Sequence, residues 1–223
     1  EFYVLTVEVN LAGSGTTTGS GNYNYGNNLN IPIAVNPSNP TVAPAYQFLN
    51  WTSSPSVSLP SNTSGDISIT QDTTVRANFK LNSYTLTLVT DSNKGTVSQS
   101  GGPTYSVFDS ITISSNPKGK NIFQKWEVVS ASYGLTQGQT FNFSNFTLGN
   151  YGNLTLVARF LAVYTLTVKY YQDGVHNPAK TVIIERKENE PSAVTVNPLY
   201  INAAGYEFDR WEVESGAITI SDP

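Results

Sequence analysis

The sequence predicts an all-β protein of three tandem small β domains, with little or no helix. The first observation is a repeat: the segments Tyr3–Val7, Tyr84–Leu88 and Tyr164–Val168 share the pattern Tyr-x-Leu-Thr-Val/Leu and begin 81 and 80 residues apart. The second is an alternation of apolar and polar residues, which is typical of half-buried strands. No segment shows a helical apolar stripe longer than about two turns. Landmarks that recur at a fixed period indicate a tandem array.

A second landmark, Phe-x-x-Trp, occurs once in each repeat and uses all three tryptophans of the chain. A Phe and a Trp in one short segment are more apolar surface than a turn can carry. We therefore predict that each copy anchors a small core at an equivalent position. The predicted core anchors are Phe48, Trp51, Phe123, Trp126, Phe208 and Trp211.

The period divides the chain into repeat 1 (residues 1–80), repeat 2 (81–161) and repeat 3 (162–223). Repeats 1 and 2 end on alternating strands, Thr74–Phe79 and Leu154–Phe160, whereas the period places the counterpart in repeat 3 near position 240. We therefore expect repeat 3 to lack its closing strand. Two explanations stay open: the parent chain continues, or a strand from a neighbouring molecule fills the gap. The joints are short, which favours a semi-rigid rod.

Composition excludes several classes of partner and site. The chain of 223 residues contains no cysteine, so disulfides and thiolate metal sites are absent. Its formal net charge of −4 gives no reason to expect nucleic acid as a partner. No apolar run approaches the roughly 18 residues of a membrane span, so we expect no membrane insertion of this segment.

The search for catalytic chemistry is negative. The single histidine, His176, follows Asp173-Gly174 and is interpreted as a polar residue of a hairpin turn rather than as a base or metal ligand. Carboxylates cluster in repeat 3, but basic residues are interleaved with them, which favours a solvated charged face over a glycosidase pair. The sequence thus predicts no enzyme, no catalytic residues, no cofactor and no metal site.

Two groups of residues are candidates for surface contacts or modification. Tyrosines beyond those needed for the core suit adaptable contact surfaces, including surfaces that bind glycans, although cross-strand pairing on a β surface is the simpler explanation. These tyrosines are Tyr23, Tyr25, Tyr133, Tyr151, Tyr170, Tyr171 and Tyr200. The candidate N-glycosylation residues, each in an Asn-x-Ser/Thr pattern, are Asn50, Asn62, Asn142, Asn145 and Asn153.

The order of these landmarks resembles the divergent internalin-type B-repeat, also called the Listeria–Bacteroides repeat group. The likeness covers repeats 1 and 2 end to end; Tyr170–Asn189 in repeat 3 departs from it, with charged residues in place of a Gly-rich turn. The resemblance implies small β domains, β-grasp-like or sandwich-like, strung along extracellular proteins that are cell-surface-bound or secreted.

From the repeats and the resemblance we expect a non-catalytic structural segment: a stalk, an adhesin shaft, or part of a surface layer or filament. Its partners would be neighbouring repeats of the same or another copy of the protein. One alternative is an adhesin module that binds a glycan or a host surface through Tyr-rich loops. Another is a set of accessory repeats of an extracellular hydrolase.

Overall fold

The computed structural model describes residues 1–26, 30–196, 208–217 and 219. The predicted all-β class is confirmed: these residues form strands and two single-turn 3-10 helices, Leu148–Asn150 and Pro178–Lys180, with no α-helix among them. The strands of repeat 1 are β1 (Phe2–Val9), β2 (Gly15–Thr18), β3 (Gly21–Asn24), β4 (Ile31–Pro37), β5 (Tyr46–Ser54), β6 (Ser64–Ile67) and β7 (Thr73–Leu81).

Repeat 2 and the start of repeat 3 supply the other strands. Those of repeat 2 are β8 (Ser83–Thr90), β9 (Gly95–Gln99), β10 (Thr104–Ser106), β11 (Ile111–Pro117), β12 (Asn121–Ala131), β13 (Thr140–Phe141) and β14 (Asn145–Phe146). Strand β15 (Leu154–Val168) closes repeat 2 and opens repeat 3, which adds β16 (Tyr171–Gln172), β17 (Val175–His176) and β18 (Val182–Lys187).

Repeats 1 and 2 share one strand order. In repeat 1 a four-stranded sheet has the order β3-β1-β7-β5, and a three-stranded sheet has the order β2-β4-β6. In repeat 2 the corresponding orders are β10-β8-β15-β12, with β13 added at the edge, and β9-β11-β14. In both larger sheets the first and last strands of the repeat lie side by side and run parallel, while the other pairings are antiparallel.

The core of each repeat lies between its two sheets. In repeat 1, Leu5 and Val75 of the larger sheet pack in one buried cluster with Ile33 and Ile67 of the smaller sheet. Alternation along β1, β4 and β7 explains why these side chains share a face. The arrangement is sandwich-like, since the described residues of repeat 1 contain no helix to cover a sheet as a β-grasp would require.

The tryptophans of repeats 1 and 2 lie in these cores at equivalent places. Trp51 is 5% exposed and Trp126 is 6% exposed, and each contacts the Phe three residues earlier. Phe48 and Phe123 are half-buried and pack edge-on against a phenylalanine of the closing strand, Phe79 and Phe160 respectively.

Repeat 3 differs in its described part. The end of β15 pairs antiparallel with β18, as β1 pairs with β3, and β16 and β17 form a hairpin. The alternation of Glu212 and Glu214 around Val213 predicts the solvent face of a strand, but residues 208–217 contain no strand. Phe208 is 50% exposed and Trp211 is half-buried, because no described strand covers them as β7 and β15 cover their counterparts. The missing closing strand stays a prediction.

Candidate functional site: the joints between repeats

The chain passes from one repeat to the next without leaving extended structure. Strand β7 ends at Leu81 and β8 begins at Ser83, so Asn82 alone separates them. At the second joint there is no break, because β15 runs from Leu154 to Val168 and contributes to both repeats. The distance between neighbouring repeats is therefore set by strands rather than by a flexible linker.

Asn82 is bonded through three of its polar groups. Its backbone N–H donates to the Ala45 carbonyl of repeat 1 at 2.8 Å, and its own carbonyl accepts from Val107 N of repeat 2 at 3.1 Å. Its side-chain Nδ2 donates to the Pro44 carbonyl at 2.9 Å. The Tyr84 hydroxyl donates to the same Pro44 oxygen at 2.8 Å. The Pro44 carbonyl, with two lone pairs, thus receives one donor from the joint residue Asn82 and one from Tyr84 in the strand that opens repeat 2.

The segment before β5 supplies most of the contacts at this joint. Eight residues, 38–45, connect β4 to β5 in repeat 1, whereas three, 118–120, connect β11 to β12 in repeat 2. The longer segment reaches repeat 2, where Ala43 N donates to Gly149 O at 2.8 Å. Ala43 is fully buried, and a Cβ at Gly149 would lie 2.8 Å from Thr41 Cγ2. The contact therefore depends on a glycine at that position.

The second joint repeats one bond of the first and adds an ion pair. Val163 N donates to Lys120 O at 2.9 Å, in the same place as the bond from Asn82 to Ala45. Glu188 of repeat 3 bonds both backbone groups of Ala162: its N–H donates to the carbonyl at 2.9 Å, and its Oε2 accepts from the N–H at 3.2 Å. Lys94 Nζ of repeat 2 lies 3.0 Å from the same carboxylate.

Electrostatics at this joint favour the charged carboxylate. The Lys94 ammonium, and after it the Ala162 N–H, lower the pKa of Glu188 from its ordinary value. The same contact raises the pKa of Lys94. Both groups therefore carry their charges at neutral pH, and the ion pair links residues of repeats 2 and 3 that are 94 positions apart in sequence.

The tyrosines predicted as contact candidates do not converge on one surface. Tyr151 is part of the repeat 2 core, 5.5 Å from the Phe141 ring, and Tyr23 donates to Gly19 O within repeat 1. Tyr25 is exposed and lies 4.4 Å, ring to ring, from Tyr3. Tyr133 is exposed in repeat 2. Tyr200 lies outside the described residues.

Tyr170 and Tyr171 are neighbours in repeat 3, close to Trp211 and Glu214. Tyr170 lies 6.1 Å from the ring of Trp211, and the Tyr171 hydroxyl donates to Glu214 Oε1 at 2.6 Å. Lys169 Nζ binds the other oxygen of the Glu214 carboxylate at 2.7 Å. Hydrogen bonds from Lys169 and then Tyr171 lower the pKa of Glu214. This carboxylate is therefore held in its charged form and is not suited to act as an acid.

The candidate glycosylation residues are all exposed. The side-chain oxygens of three of them accept internal hydrogen bonds: Asn50 from Asn78, Asn145 from Ser110, and Asn153 from the backbone of Thr85. The amide nitrogen, which a glycan would modify, is not used in any of these three bonds. Glycosylation of these residues stays a prediction.

His176 is placed by the Asp173-Gly174 turn, where both residues have positive φ and join β16 to β17. Its Nε2 lies 2.9 Å from Thr181 Oγ1, and its ring lies 5.4 Å from that of Tyr171. Within the described ranges, no three acidic, histidine or cysteine residues are grouped so as to hold a metal ion. No helix formed by these residues is long and apolar enough to cross a membrane.

The carboxylates of repeat 3 pair with cations or with the backbone. Arg210 contacts both Asp209 and Glu212, at 2.6 Å each, and Glu190 accepts from Lys187 N. This pairing explains the interleaved basic residues of the sequence. Glu185 is exposed on β18, and Glu207 lies outside the described residues.

The joint between repeats 1 and 2 was missed by sequence reasoning. Pro37, Pro40 and Pro44 exclude a helix in the segment before β5, but no local pattern in it indicates a contact with repeat 2. A comparison of the two repeats could have indicated this contact. The segment is five residues longer than the 118–120 connection, and it contains the small buried residues Ala43 and Ala45.

Comparison with known proteins identifies one repeat. Residues 5–83 match the family model described as the divergent InlB B-repeat domain. The match begins within β1 and runs past the end of β7, so it covers all but the first three strand residues of the first sandwich. No curated protein and no solved structure matches the chain.

Proposed function

We propose, from the match of residues 5–83 to the divergent InlB B-repeat domain, that the chain is a non-catalytic spacer in an extracellular surface protein. The family is typical of surface proteins. The spacer holds whatever lies beyond it at a fixed distance and angle, because neighbouring repeats are joined by hydrogen-bonded strands. Its partners are its own neighbouring repeats, in this copy or in another.

The observation that carries the proposal is the bonding of Asn82. A flexible linker leaves its polar groups to water, whereas the backbone N–H, the carbonyl and the amide of this residue are all bonded to protein. Independent swinging of repeats 1 and 2 would break these bonds together with that of Tyr84 to Pro44. Each such bond contributes about 1 kcal/mol, so bending the joint is opposed by several bonds acting at once.

Single-molecule energy transfer tests this stiffness directly. The chain has no native cysteine, so dyes can be placed at Asp66→Cys in repeat 1 and Gln137→Cys in repeat 2, both exposed. We expect one narrow distance distribution. Adding Asn82→Ala and Tyr84→Phe removes both donors to Pro44 and should broaden it.

The control for this pair is Tyr23→Phe, which removes a hydroxyl-to-carbonyl bond of the same kind inside repeat 1. It should leave the distribution narrow. A distribution that is already broad in the unsubstituted chain would overturn the proposal, since it would mean independent repeats. Glycan-array binding that the Tyr171→Phe variant loses would instead favour an adhesin module.

A further inference from the structure

We infer that repeats 1 and 2 are built to carry tension along the chain, because the first and last strands of each form a parallel pair that is loaded in shear. The inference deepens the proposed spacer role and rests on it. A spacer that holds a surface structure under flow or traction is pulled at its two ends. That force acts along the first and last strands of each repeat.

The geometry follows from the strand directions. In repeat 1, β1 and β7 run parallel and are paired at five positions, from Leu5 opposite Thr73 to Val9 opposite Ala77. The chain enters at the start of β1 and leaves at the end of β7, at opposite ends of the pair. Tension therefore slides the strands past each other and loads all the bonds of the ladder together. Pulling both strands from one end would instead break the bonds one after another.

Repeat 2 has the same arrangement in series. Strands β8 and β15 are parallel and paired at five positions, from Leu86 opposite Leu154 to Thr90 opposite Ala158. Strand β7 passes into β8 through Asn82 alone, and β15 continues into repeat 3. Tension thus passes from one parallel pair to the next along extended backbone, without a loop that could lengthen first.

Side chains lengthen these ladders at the end where tension enters. Asp72 Oδ1 accepts from the backbone N–H of Val4 at 2.8 Å, and Asn153 Oδ1 accepts from that of Thr85 at 2.9 Å. In each pair the donor and the acceptor residue are 68 positions apart, so this is the same bond in two repeats. Both acceptors lie just before a closing strand and tie it to the start of the opening strand.

Repeat 1 has further ties that repeat 2 does not share. The Asn10 amide binds both backbone groups of Phe79: Nδ2 donates to its carbonyl at 3.0 Å, and Oδ1 accepts from its N–H at 2.7 Å. Asp91 occupies the equivalent place in repeat 2, and a carboxylate cannot donate to a carbonyl.

An ion pair adds to the ties of repeat 1. Arg76 Nε and Nη2 both donate to Glu8 Oε1 across the parallel pair, at 2.8 and 2.6 Å. Val89 and Val157 occupy the corresponding paired positions in repeat 2. Repeat 1 is therefore the stronger of the two under tension.

Force spectroscopy on the full chain tests the inference by changing only the pulling direction. Tethers at the two chain ends load repeat 1 in shear, whereas tethers at Ala12→Cys and Lys80→Cys, both exposed, pull β1 and β7 from the same end. We expect the unfolding force of repeat 1 to be at least about twofold higher in the first geometry, since five paired positions yield together. Equal forces would overturn the inference.

A matched pair of substitutions locates the loaded element. Asn10→Ala should raise the forced-unfolding rate of one repeat about ten- to thirtyfold, because two bonds of the ladder are lost. Asn78→Ala removes bonds from the same strand to Asn50 and Thr52 of β5, outside the parallel pair, and should change the rate less than about twofold.

These outcomes separate the inference from the spacer proposal. Equal effects of Asn10→Ala and Asn78→Ala would show that the parallel pair does not bear the load, while the narrow distance distribution between repeats would still support a spacer. A broad distribution of distances between repeats 1 and 2, together with an unfolding force that depends strongly on the pulling direction, would support force resistance of each repeat. It would contradict the spacer role.

Discussion

Phe48 and Trp51 face the same core because Leu49, between them, is the extra residue of a β-bulge in β5. Phe48 lies opposite Phe79, but Asn50 lies opposite Asn78, so the register shifts by one residue at Leu49. In a regular strand, residues three apart point to opposite faces. The bulge reverses that parity and brings the two rings to 5.7 Å. Gln124 has the same place between Phe123 and Trp126.

Deleting Gln124 should therefore unfold the core of repeat 2. Without the extra residue, Phe123 and Trp126 fall on opposite faces of β12, and the loss should approach the 3–5 kcal/mol typical of removing a buried large aromatic, about as severe as Trp126→Ala. Gln124 is exposed, so Gln124→Ala is the matched control and should stay within about 0.5 kcal/mol. Urea unfolding followed by tryptophan fluorescence measures both. A deletion variant as stable as the control would contradict the bulge.

Sequence alone predicted the strands that alternate and the landmarks that recur. Tyr3–Val7 and Tyr84–Leu88 are predicted correctly as strands because the apolar face of each packs on a core and period-2 alternation is local. The bulge at Leu49 could not be predicted, since a spacing of three residues in Phe-x-x-Trp acquires meaning only against the register of β7, which is remote in sequence.

The joints were predictable in kind but not in detail. Their short length indicated restricted motion, as the single residue between β7 and β8 now explains. The contact of Ala43 with Gly149 depends on how two folded repeats are placed side by side, which no local pattern encodes. The structure of residues 208–217 was also missed, because a strand requires a partner and the alternation of Glu212 and Glu214 cannot supply one.

Gly95→Ala should destabilise repeat 2 by about 1–3 kcal/mol, the usual cost of overpacking. A Cβ at this position would lie 2.4 Å from Cζ of Phe160, whose ring is itself buried in the core and cannot easily move. Gly102→Ala is the control, because a Cβ there meets nothing within 4 Å. Thermal unfolding of the two variants gives the comparison. Equal midpoints would mean that Phe160 does not pack over Gly95.

Stability should fall as the pH rises above about 10, the ordinary pKa of tyrosine. Burial raises the pKa of Tyr84 and of Tyr151, and hydrogen bonding to Tyr25 raises the pKa of Tyr3 to about 12. A raised folded-state pKa means that the native state holds its proton more tightly. The contribution is therefore complete below the unfolded value and is lost as the pH passes through the folded one.

Urea midpoints measured between about pH 8 and pH 11 check this expectation. The Tyr151→Phe variant removes one buried phenol and should flatten the decline above pH 10. A midpoint that does not change across the range would show that these hydroxyls ionise as freely in the folded chain as in the unfolded one.

Acid should loosen the joint between repeats 2 and 3 before it unfolds either repeat. Lys94 lowers the pKa of Glu188, so the ion pair contributes fully above the ordinary glutamate value of about 4.3 and is lost as the pH falls through the lower folded value. Dyes at Gln137→Cys and Val175→Cys, both exposed, report the distance across this joint. Glu188→Gln should broaden the distribution of dye-to-dye distances at neutral pH and make that distribution insensitive to acid. Glu190→Gln is the matched control, because the Glu190 carboxylate accepts from the nearby Lys187 N–H within repeat 3, and this variant should behave as the unsubstituted chain. If both variants respond to acid alike, the Lys94–Glu188 pair does not hold the joint, and the continuous strand β15 alone sets its angle.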